Sequence, residues 1–176
     1  MIASEKTKFD DVLAMGMNKK VADGFVPNGM VAFKLRNTKT GKVREYSVPI
    51  KNTICNLGLA TIADGVSDRG DTLPTHMAVG TTSGGKTAAS TTLEAEVAAS
   101  RTALTSTTQG TGANANKVTW VCTFAAGVGT GALLEAAIFN NAAGGTMFCY
   151  VEFGLLTKEA ADELTVTWLL TCGTWT

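Results

Sequence analysis

Residues 116–172 read NKVTWVCTFAAGVGTGALLEAAIFNNAAGGTMFCYVEFGLLTKEAADELTVTWLLTC and carry the strongest fold signal in the chain. Runs of alternating apolar and polar residues are separated here by turns rich in glycine and asparagine. Such alternation is typical of strands with one buried face, and short turns between them favour antiparallel pairing. The stretch contains no cluster of acid, base and nucleophile. It therefore predicts an antiparallel β-domain and indicates architecture more than chemistry.

The strands expected in this stretch differ in how clearly they alternate. The first places four apolar side chains on one face: Val118, Trp120, Cys122 and Phe124. The last, residues 164–172, has an apolar residue at every second position and mostly threonines between them. Two further strands are expected at residues 132–139 and 147–153. Glu135 interrupts the earlier of these two, so we expect its side chain to point outward or to meet a cation.

The part of the chain before this stretch predicts a hairpin and short strands. Residues 30–50 alternate on both sides of the NTKTGK turn, where Gly41 is free to adopt positive φ. Pro49 indicates an edge position or the end of the second strand. Residues 76–80 form a short apolar strand, and the threonine-rich residues 101–108 are also strand-like.

One helix is expected, at residues 52–66, NTICNLGLATIADGV. Asn52 or Thr53 can cap its start, and Gly65 can end it. Gly58 weakens the helix by about 1 kcal/mol relative to alanine, so packing must hold it in place.

Together these elements predict an all-β, mainly antiparallel fold: a β-sandwich, jelly-roll- or immunoglobulin-like, with about seven or eight strands and one short helix. Residues 81–100 fit either a short helix or an extended crossing segment. We expect an N-terminal arm at residues 1–29 and a single sandwich domain at residues 30–176.

The arm is richer in apolar residues than a disordered tail. Phe9, Val12 and Leu13 can form one helical turn, but glycines and Pro27 interrupt any longer periodicity. Two interpretations stay open. The arm either folds back on its own domain or is ordered against a neighbouring subunit.

Composition limits the classes of function. The 176 residues include 15 basic and 15 acidic ones, so charge indicates neither a nucleic-acid nor a membrane partner. Charged residues make up only 17%, where about a quarter is usual. A surface rich in threonine and alanine instead is poorly protected against association, which favours a subunit of a homo-oligomeric assembly. The start, MIASEKTKFDD, lacks the pattern of a signal peptide, so we expect synthesis in a cytoplasm.

Residues 80–87, GTTSGGKT, match the nucleotide-binding pattern G-x-x-x-x-G-K-[ST]. In that chemistry backbone amides surround phosphates, Lys86 contacts the terminal phosphates and Thr87 binds magnesium. The residues that follow, AASTTLEAEV, are a poor first helix, and no later apolar strand ends in the aspartate that would hold the metal. We therefore predict that the chain is not an enzyme and needs no cofactor.

Other candidate site residues have structural interpretations. Residues 127–131, GVGTG, hold the glycines of a dinucleotide fingerprint but precede a strand, so a tight turn or bulge is expected. The tripeptide at residues 69–71, RGD, is too short to count. His76 has no cysteine or carboxylate neighbour in the sequence and is expected to be structural. Three glutamates can act as an acid–base pair only through contacts between distant segments: Glu94, Glu96 and Glu135.

Cysteines and tryptophans are expected mainly in the core. The four cysteines form no CxxC or Cys/His pair, which argues against a zinc site: Cys55, Cys122, Cys149 and Cys172. We expect buried free thiols, while a cross-strand or intersubunit disulfide stays open. Trp120 and Trp168 fall on apolar faces, whereas Trp175 can dock on a neighbour. No catalytic, cofactor-binding or metal-ligating residue is predicted.

Several segments, in this order, resemble a family of small tailed-bacteriophage structural proteins: THMAVGTT, LEAEVAASR, VTWVCTFAAGVGTGALLEAAIFNNAAGGTMF and ADELTVTWLLT. The upstream KNTICNLGLATIAD resembles the helical lead-in of that family, so the resemblance covers roughly residues 50–172. Members are described as virion, tail-fibre-like or head-accessory proteins. The resemblance implies a phage particle component and no catalytic residues. In such relatives the loop after AVG usually carries no lysine, so GGKT here looks like loop variation.

One functional expectation follows from the composition, from the lack of a predicted catalytic or ligand-binding residue, and from the resemblance. We expect a non-enzymatic virion component, a head decoration or cement protein or a neck-associated accessory protein, that contacts major capsid, neck or tail proteins. A tail or collar fibre subunit is an alternative, and a carbohydrate-binding receptor module is an alternative of another class. The expected location is the virion, after assembly in the cytoplasm of the bacterial host.

Overall fold

A computed structural model of the chain describes residues 27–68, 70 and 72–173, with only the backbone of residues 47 and 48. Ten strands lie in these ranges: β1 (Asn28–Asn37), β2 (Val43–Lys51), β3 (Thr53–Ile54), β4 (His76–Gly80), β5 (Thr102–Ala103), β6 (Ser106–Gln109), β7 (Lys117–Phe124), β8 (Gly131–Phe139), β9 (Met147–Lys158) and β10 (Asp162–Thr171). The α-helix α1 spans Asn56–Ser67, and a 3₁₀-helix spans Gly112–Asn114. Residues 1–26 of the expected arm lie outside the described residues. The predicted boundary at residue 30 is wrong, because Asn28 and Gly29 already pair with β10 as the start of β1.

The strands form two five-stranded sheets. The first has the order β2-β1-β10-β7-β6 and the second the order β3-β9-β8-β4-β5. Neighbouring strands pair antiparallel in both sheets. The predicted all-β, mainly antiparallel sandwich is therefore confirmed, while its jelly-roll- or immunoglobulin-like subtype stays a prediction.

Aromatic side chains from the two sheets meet in the core between them. The rings of Phe33 on β1 and Phe153 on β9 lie 4.4 Å apart, measured between centroids. The rings of Trp120 on β7 and Phe148 on β9 lie 5.5 Å apart and meet edge to face. Trp168 on β10 is fully buried beside them. The alternating apolar positions of β7 and β10 therefore face the core, as the sequence predicts.

The predicted hairpin is confirmed as β1 and β2. Its turn is organised by Asn37, whose Oδ1 accepts hydrogen bonds from the backbone N–H groups of the next turn residues. Gly41 has φ +72°, a conformation that a side chain would strain. Pro49 lies in β2, which is an edge strand of the first sheet, so the proline removes no hydrogen bond from a sheet interior.

The helix differs from its prediction at both ends. α1 begins four residues later than expected because Thr53 and Ile54 pair with β9 as strand β3. Cys55 is the N-cap and makes no side-chain capping hydrogen bond. α1 continues two residues past Gly65, and Asp68, at φ +52°, is its left-handed C-cap. The predicted caps at residues 52 and 53 and the predicted stop at Gly65 are therefore wrong.

The second sheet is covered on its outer face as well. Residues 81–101, which we call the crossing segment, consist of turns and one isolated bridge between Gly80 and Glu96. Leu93 of this segment packs with Ala137 and Phe139 of β8 in a second buried cluster. Strand β8 is consequently buried on both faces near its end, which explains its continuous apolar run.

Candidate interaction surface

After Gly80, the last residue of β4, the loop at residues 81–87 consists of bends and turns, and no helix begins in the residues that directly follow it, 88–111. Lys86 Nζ lies 3.0 Å from Glu94 Oε2, and the lysine side chain is largely buried. The backbone N–H of Gly84 donates to Glu152 Oε1 at 2.8 Å. The carboxylate of Glu152 thus accepts a hydrogen bond from a backbone amide that a phosphate would need. The charge of Lys86 is paired with Glu94 of the same chain. This geometry differs from a phosphate-binding loop, where a helix N-terminus faces the ligand.

Glu135 is fully buried, so the expected outward orientation or cation partner is wrong. Its Oε1 accepts a hydrogen bond from the N–H of Ala95 at 2.8 Å, and its Oε2 accepts one from the N–H of Glu94 at 3.1 Å. The carboxylate also lies directly over Gly80, where no Cβ would fit. Glu135 therefore fixes the crossing segment to β8. Its charge is stabilised by backbone amides.

Arg101 holds the end of the crossing segment, a role that no sequence pattern indicates. Its Nε and Nη2 lie 2.9 Å and 3.0 Å from the two carboxylate oxygens of Glu96. Its Nη1 donates to the carbonyls of Asn141 and Gly144 in the β8–β9 turn. The guanidinium carbon lies 3.4 Å from the centroid of the Phe139 ring. The glutamates singled out in the sequence are thus engaged in separate structural contacts.

The four cysteines are free, and three of them are buried. Burial raises the pKa of Cys55 to about 11 and that of Cys122 to about 12. Burial also raises the pKa of Cys149 well above its usual value. These thiols stay protonated near neutral pH and are not activated nucleophiles. The prediction of buried free thiols is confirmed for these three residues, while Cys172 is half-buried.

Potential metal ligands do not cluster in the part of the chain that the structure describes. His76 Nδ1 lies 2.8 Å from the hydroxyl of the preceding threonine, a local contact that fits its expected structural role. Within residues 27–173 as described, no group of three or more His, Cys, Asp and Glu side chains is arranged to hold a metal ion. Trp175 lies outside the described residues, and so do residues 69 and 71 of the RGD tripeptide.

A shallow groove of about 260 Å³ lies on the outer face of the first sheet, lined by residues of β1, β2 and β10. Tyr46 lines it and is 36% exposed; among the described residues it is the single large aromatic side chain that reaches solvent to this extent. Lys34 and Glu45 form an ion pair of 3.1 Å along the groove. Trp120 and Trp168 lie in the core, as predicted, and do not contribute.

A row of exposed apolar side chains runs along α1. Leu59, Ala63 and Val66 are spaced by four and three residues and therefore lie on one side of the helix. Leu59 is 42% exposed and Val66 is 87% exposed. We call these three residues the α1 face. Leu73, in the loop after the helix, is also 64% exposed.

The α1 face is uncovered because the helix packs along a narrow strip. Within α1 only Gly58 and Thr61 are buried, and Gly58 lies against the backbone carbonyl of Phe148 on β9. Ile62 is half-buried against the core. A helix with apolar residues on more than one side is normally covered on those sides. An exposed apolar row of this kind is the candidate interaction surface of the described residues.

Comparisons with protein-family models, curated proteins and solved structures gave no match to this chain. No helix in the described ranges is long and apolar enough to span a bilayer. The function therefore has to be argued from the surface of the molecule and from its sequence.

Proposed function

We propose that the chain is a non-enzymatic structural component of a tailed-phage virion and that it acts through subunit interfaces. The α1 face carries this proposal, because an apolar row on an otherwise well-packed sandwich fits a surface that is covered on assembly. The resemblance of residues 50–172 to structural proteins of tailed phages supports this kind of particle. We favour a head decoration or cement protein, or a neck-associated accessory protein. A tail or collar fibre subunit is the alternative.

The internal chemistry of the described residues supports a structural role. Glu135, Arg101 and Lys86 are the charged side chains most enclosed around the crossing segment, and each is bound within the chain. Their hydrogen bonds hold loops on the second sheet. A structural subunit needs this rigidity, since its interfaces have to keep their shape during assembly.

Quantitative mass spectrometry of particles tests the proposal. Particles are purified from lysates of the phage or prophage that encodes the chain, and we expect the chain in them at a fixed copy number. The double variant Leu59→Asp/Val66→Asp should lower that copy number by about tenfold or more, because two apolar contacts are replaced by charges. The control Val43→Asp changes an exposed valine on β2 and should leave the copy number unchanged. Absence of the wild-type chain from particles would refute the proposal.

The groove around Tyr46 favours a second candidate, the carbohydrate-binding module. An exposed tyrosine beside threonines and an ion pair can stack on a sugar ring and bond its hydroxyl groups. Glycan-array binding by the full chain that is lost on Tyr46→Ala and kept on Val43→Ala would favour this function. If the full chain bound no glycan on the array, the groove would be excluded as a binding site for the glycans tested.

A further inference from the structure

We propose that the α1 face binds residues 1–26 of a second copy of this chain, so that two copies exchange their N-terminal arms. The inference rests on the proposed assembly function and names the first partner of the surface described there. Three properties of the chain carry it: the place where the arm leaves the domain, the size of the α1 face, and the chemistry of both partners.

The arm leaves the domain beside α1. The N–H of Asn52 donates to the carbonyl of Gly29 at 3.1 Å, and α1 begins four residues after Asn52. The start of β1 and the start of the helix therefore share one side of the sandwich. In a two-fold assembly the same patch of both copies meets at the axis. A patch that contains both the arm's exit and its acceptor allows reciprocal exchange across a single axis.

The size of the α1 face favours an arm over a second helix as its occupant. From Leu59 to Val66 the α1 face extends about 10 Å, and even the whole twelve-residue helix extends only about 18 Å and presents a strip about 10 Å wide. Packing two such strips together buries much less than the roughly 800 Å² per partner of a stable interface. Residues 1–26 can reach as far as about 85 Å when extended, so an arm adds contact area well beyond the helix.

The arm has the side chains that this surface requires. Its larger apolar residues recur along its length: Ile2, Phe9, Val12, Leu13, Met15, Met17, Val21, Phe25 and Val26. The charges are complementary as well. The last turn of α1 has no basic residue and is followed by the exposed Asp68. The arm carries Lys19 and Lys20 between two of its apolar residues, where they can bind this negative helix end.

Exchange accounts for assembly better than an arm folded onto its own helix. If each arm covered the α1 face of its own chain, that row would contribute no contact between subunits. With exchange, the same apolar contacts hold two copies together. The arm then acts as a strap whose affinity rises with the second, reciprocal contact.

Photo-crosslinking of the full chain tests the exchange. A benzophenone amino acid replaces Leu59 in both ¹⁴N- and ¹⁵N-labelled chains, which are mixed in equal amounts, refolded together and irradiated. We expect residue 59 to link to peptides from residues 1–26, with about half of these links joining the two isotopes. Links within one isotope alone, or no link to residues 1–26, would overturn the proposal. The same probe at Val43 serves as control and should not link to the arm.

Complementation gives a second, independent test. The arm variant Phe9→Asp/Leu13→Asp and the face variant Leu59→Asp/Val66→Asp should each be monomeric by native mass spectrometry. Their mixture should form heterodimers, because one intact arm then meets one intact face. A mixture that stays monomeric would contradict exchange.

The two proposals fail in different ways. A chain that is present in particles but forms only single-isotope links loses the exchange and keeps the assembly function. A chain absent from purified particles loses the assembly function, whatever its links show.

Discussion

Arg101 shows how a single side chain connects several segments of this fold. Its guanidinium binds Glu96, two carbonyls of the β8–β9 turn and the ring of Phe139. We expect Arg101→Lys to lower the free energy of unfolding by about 2 kcal/mol, because lysine keeps the charge but loses the forked geometry. Urea unfolding followed by tryptophan fluorescence measures the change, since Trp120 and Trp168 are buried in the folded state.

The matched control is Arg36→Lys. Arg36 forms an exposed ion pair of 3.4 Å with Glu163, and such pairs contribute little. This variant should change the free energy of unfolding by less than about 0.5 kcal/mol. Equal losses in both variants would show that the geometry of Arg101 is not what stabilises the fold.

Asp162, at the start of β10, is 2% exposed and accepts several hydrogen bonds. Its Oδ2 lies 2.8 Å from Arg44 Nη2 and accepts from the N–H of Glu159, and its Oδ1 accepts from Asn37 Nδ2 at 3.0 Å. Burial alone raises the pKa of this carboxyl. The hydrogen bonds from Glu159 and Asn37 and the charge of Arg44 outweigh burial, so the pKa of Asp162 lies below its usual value.

A lowered carboxyl pKa makes stability depend on acid. The stabilisation from Asp162 is fully present above the unfolded-state pKa of about 4, and it is lost as pH falls through the lower pKa of the folded state. We expect the free energy of unfolding to decrease once the pH drops under about 4. Asp162→Asn should be less stable at neutral pH and should lose less between about pH 4 and 2, as measured by urea titrations at each pH. Glu45→Gln, at an exposed carboxylate, should keep the wild-type slope; a wild-type slope in Asp162→Asn would contradict the assignment.

The sequence indicates which positions are inward but not which partners they meet. Alternation placed Trp168 in the core, because that needs only the local period. The orientation of Glu135 does not follow from its local sequence, because its partners, the amides of residues 94 and 95, are about forty positions away. Asp162 depends on Arg44 and Asn37, which are more than a hundred positions away. Contacts of this kind follow from the topology, which the local pattern leaves open.

At the scale of elements, α1 contains two glycines in opposite surroundings. A Cβ on Gly58 would overlap the backbone carbonyl of Phe148, whereas a Cβ on Gly65 would meet nothing within 4 Å. Helix propensity alone says that alanine at either site stabilises by about 1 kcal/mol. We expect Gly65→Ala to be stabilising by that amount. Gly58→Ala should instead be destabilising by about 2 kcal/mol, because α1 must move off β9.

Thermal unfolding followed by circular dichroism measures both variants, with Gly65→Ala as the control for propensity. Opposite signs are expected in the change of Tm. Two stabilising substitutions would show that α1 does not rest against β9 through Gly58. This pair tests helix docking directly, since both changes add the same methyl group to the same helix.

Secondary structure elements that depend on the local sequence pattern are predictable. Elements that depend on contacts with other segments are not. The β1–β2 hairpin, β7 and β10 follow from alternation and turn residues. The start of α1 does not follow from the local pattern, because Thr53 and Ile54 pair with β9 and therefore lie outside the helix. The crossing segment has no period of its own. Its path is fixed by hydrogen bonds to β4 and β8, so the sequence left two structures open for it.

At the scale of the whole molecule, the sandwich consists of two sheets that share one core. Its main cluster joins β1, β7 and β10 of the first sheet with β4, β8 and β9 of the second. Among the described residues, neither sheet has a second apolar layer of comparable size, so each sheet depends on the other for its stability. The two sheets should therefore unfold as one cooperative unit, while α1, held along a narrow strip, opens at lower cost.

The buried thiols report this cooperativity from three places. Cys122 lies on β7 in the first sheet, Cys149 on β9 in the second, and Cys55 directly before α1. Because burial raises their pKa and shields them, they react with an alkylating reagent only when the structure around them opens.

Cys122 and Cys149 should be labelled at the same rate, and Cys55 should be labelled faster. Arg101→Lys should accelerate the first two equally, by about thirtyfold for a loss of 2 kcal/mol. Peptide mass spectrometry after timed labelling measures each site. Rates for Cys122 and Cys149 that differ by more than about tenfold would mean that the two sheets open separately, and the single cooperative core would be wrong.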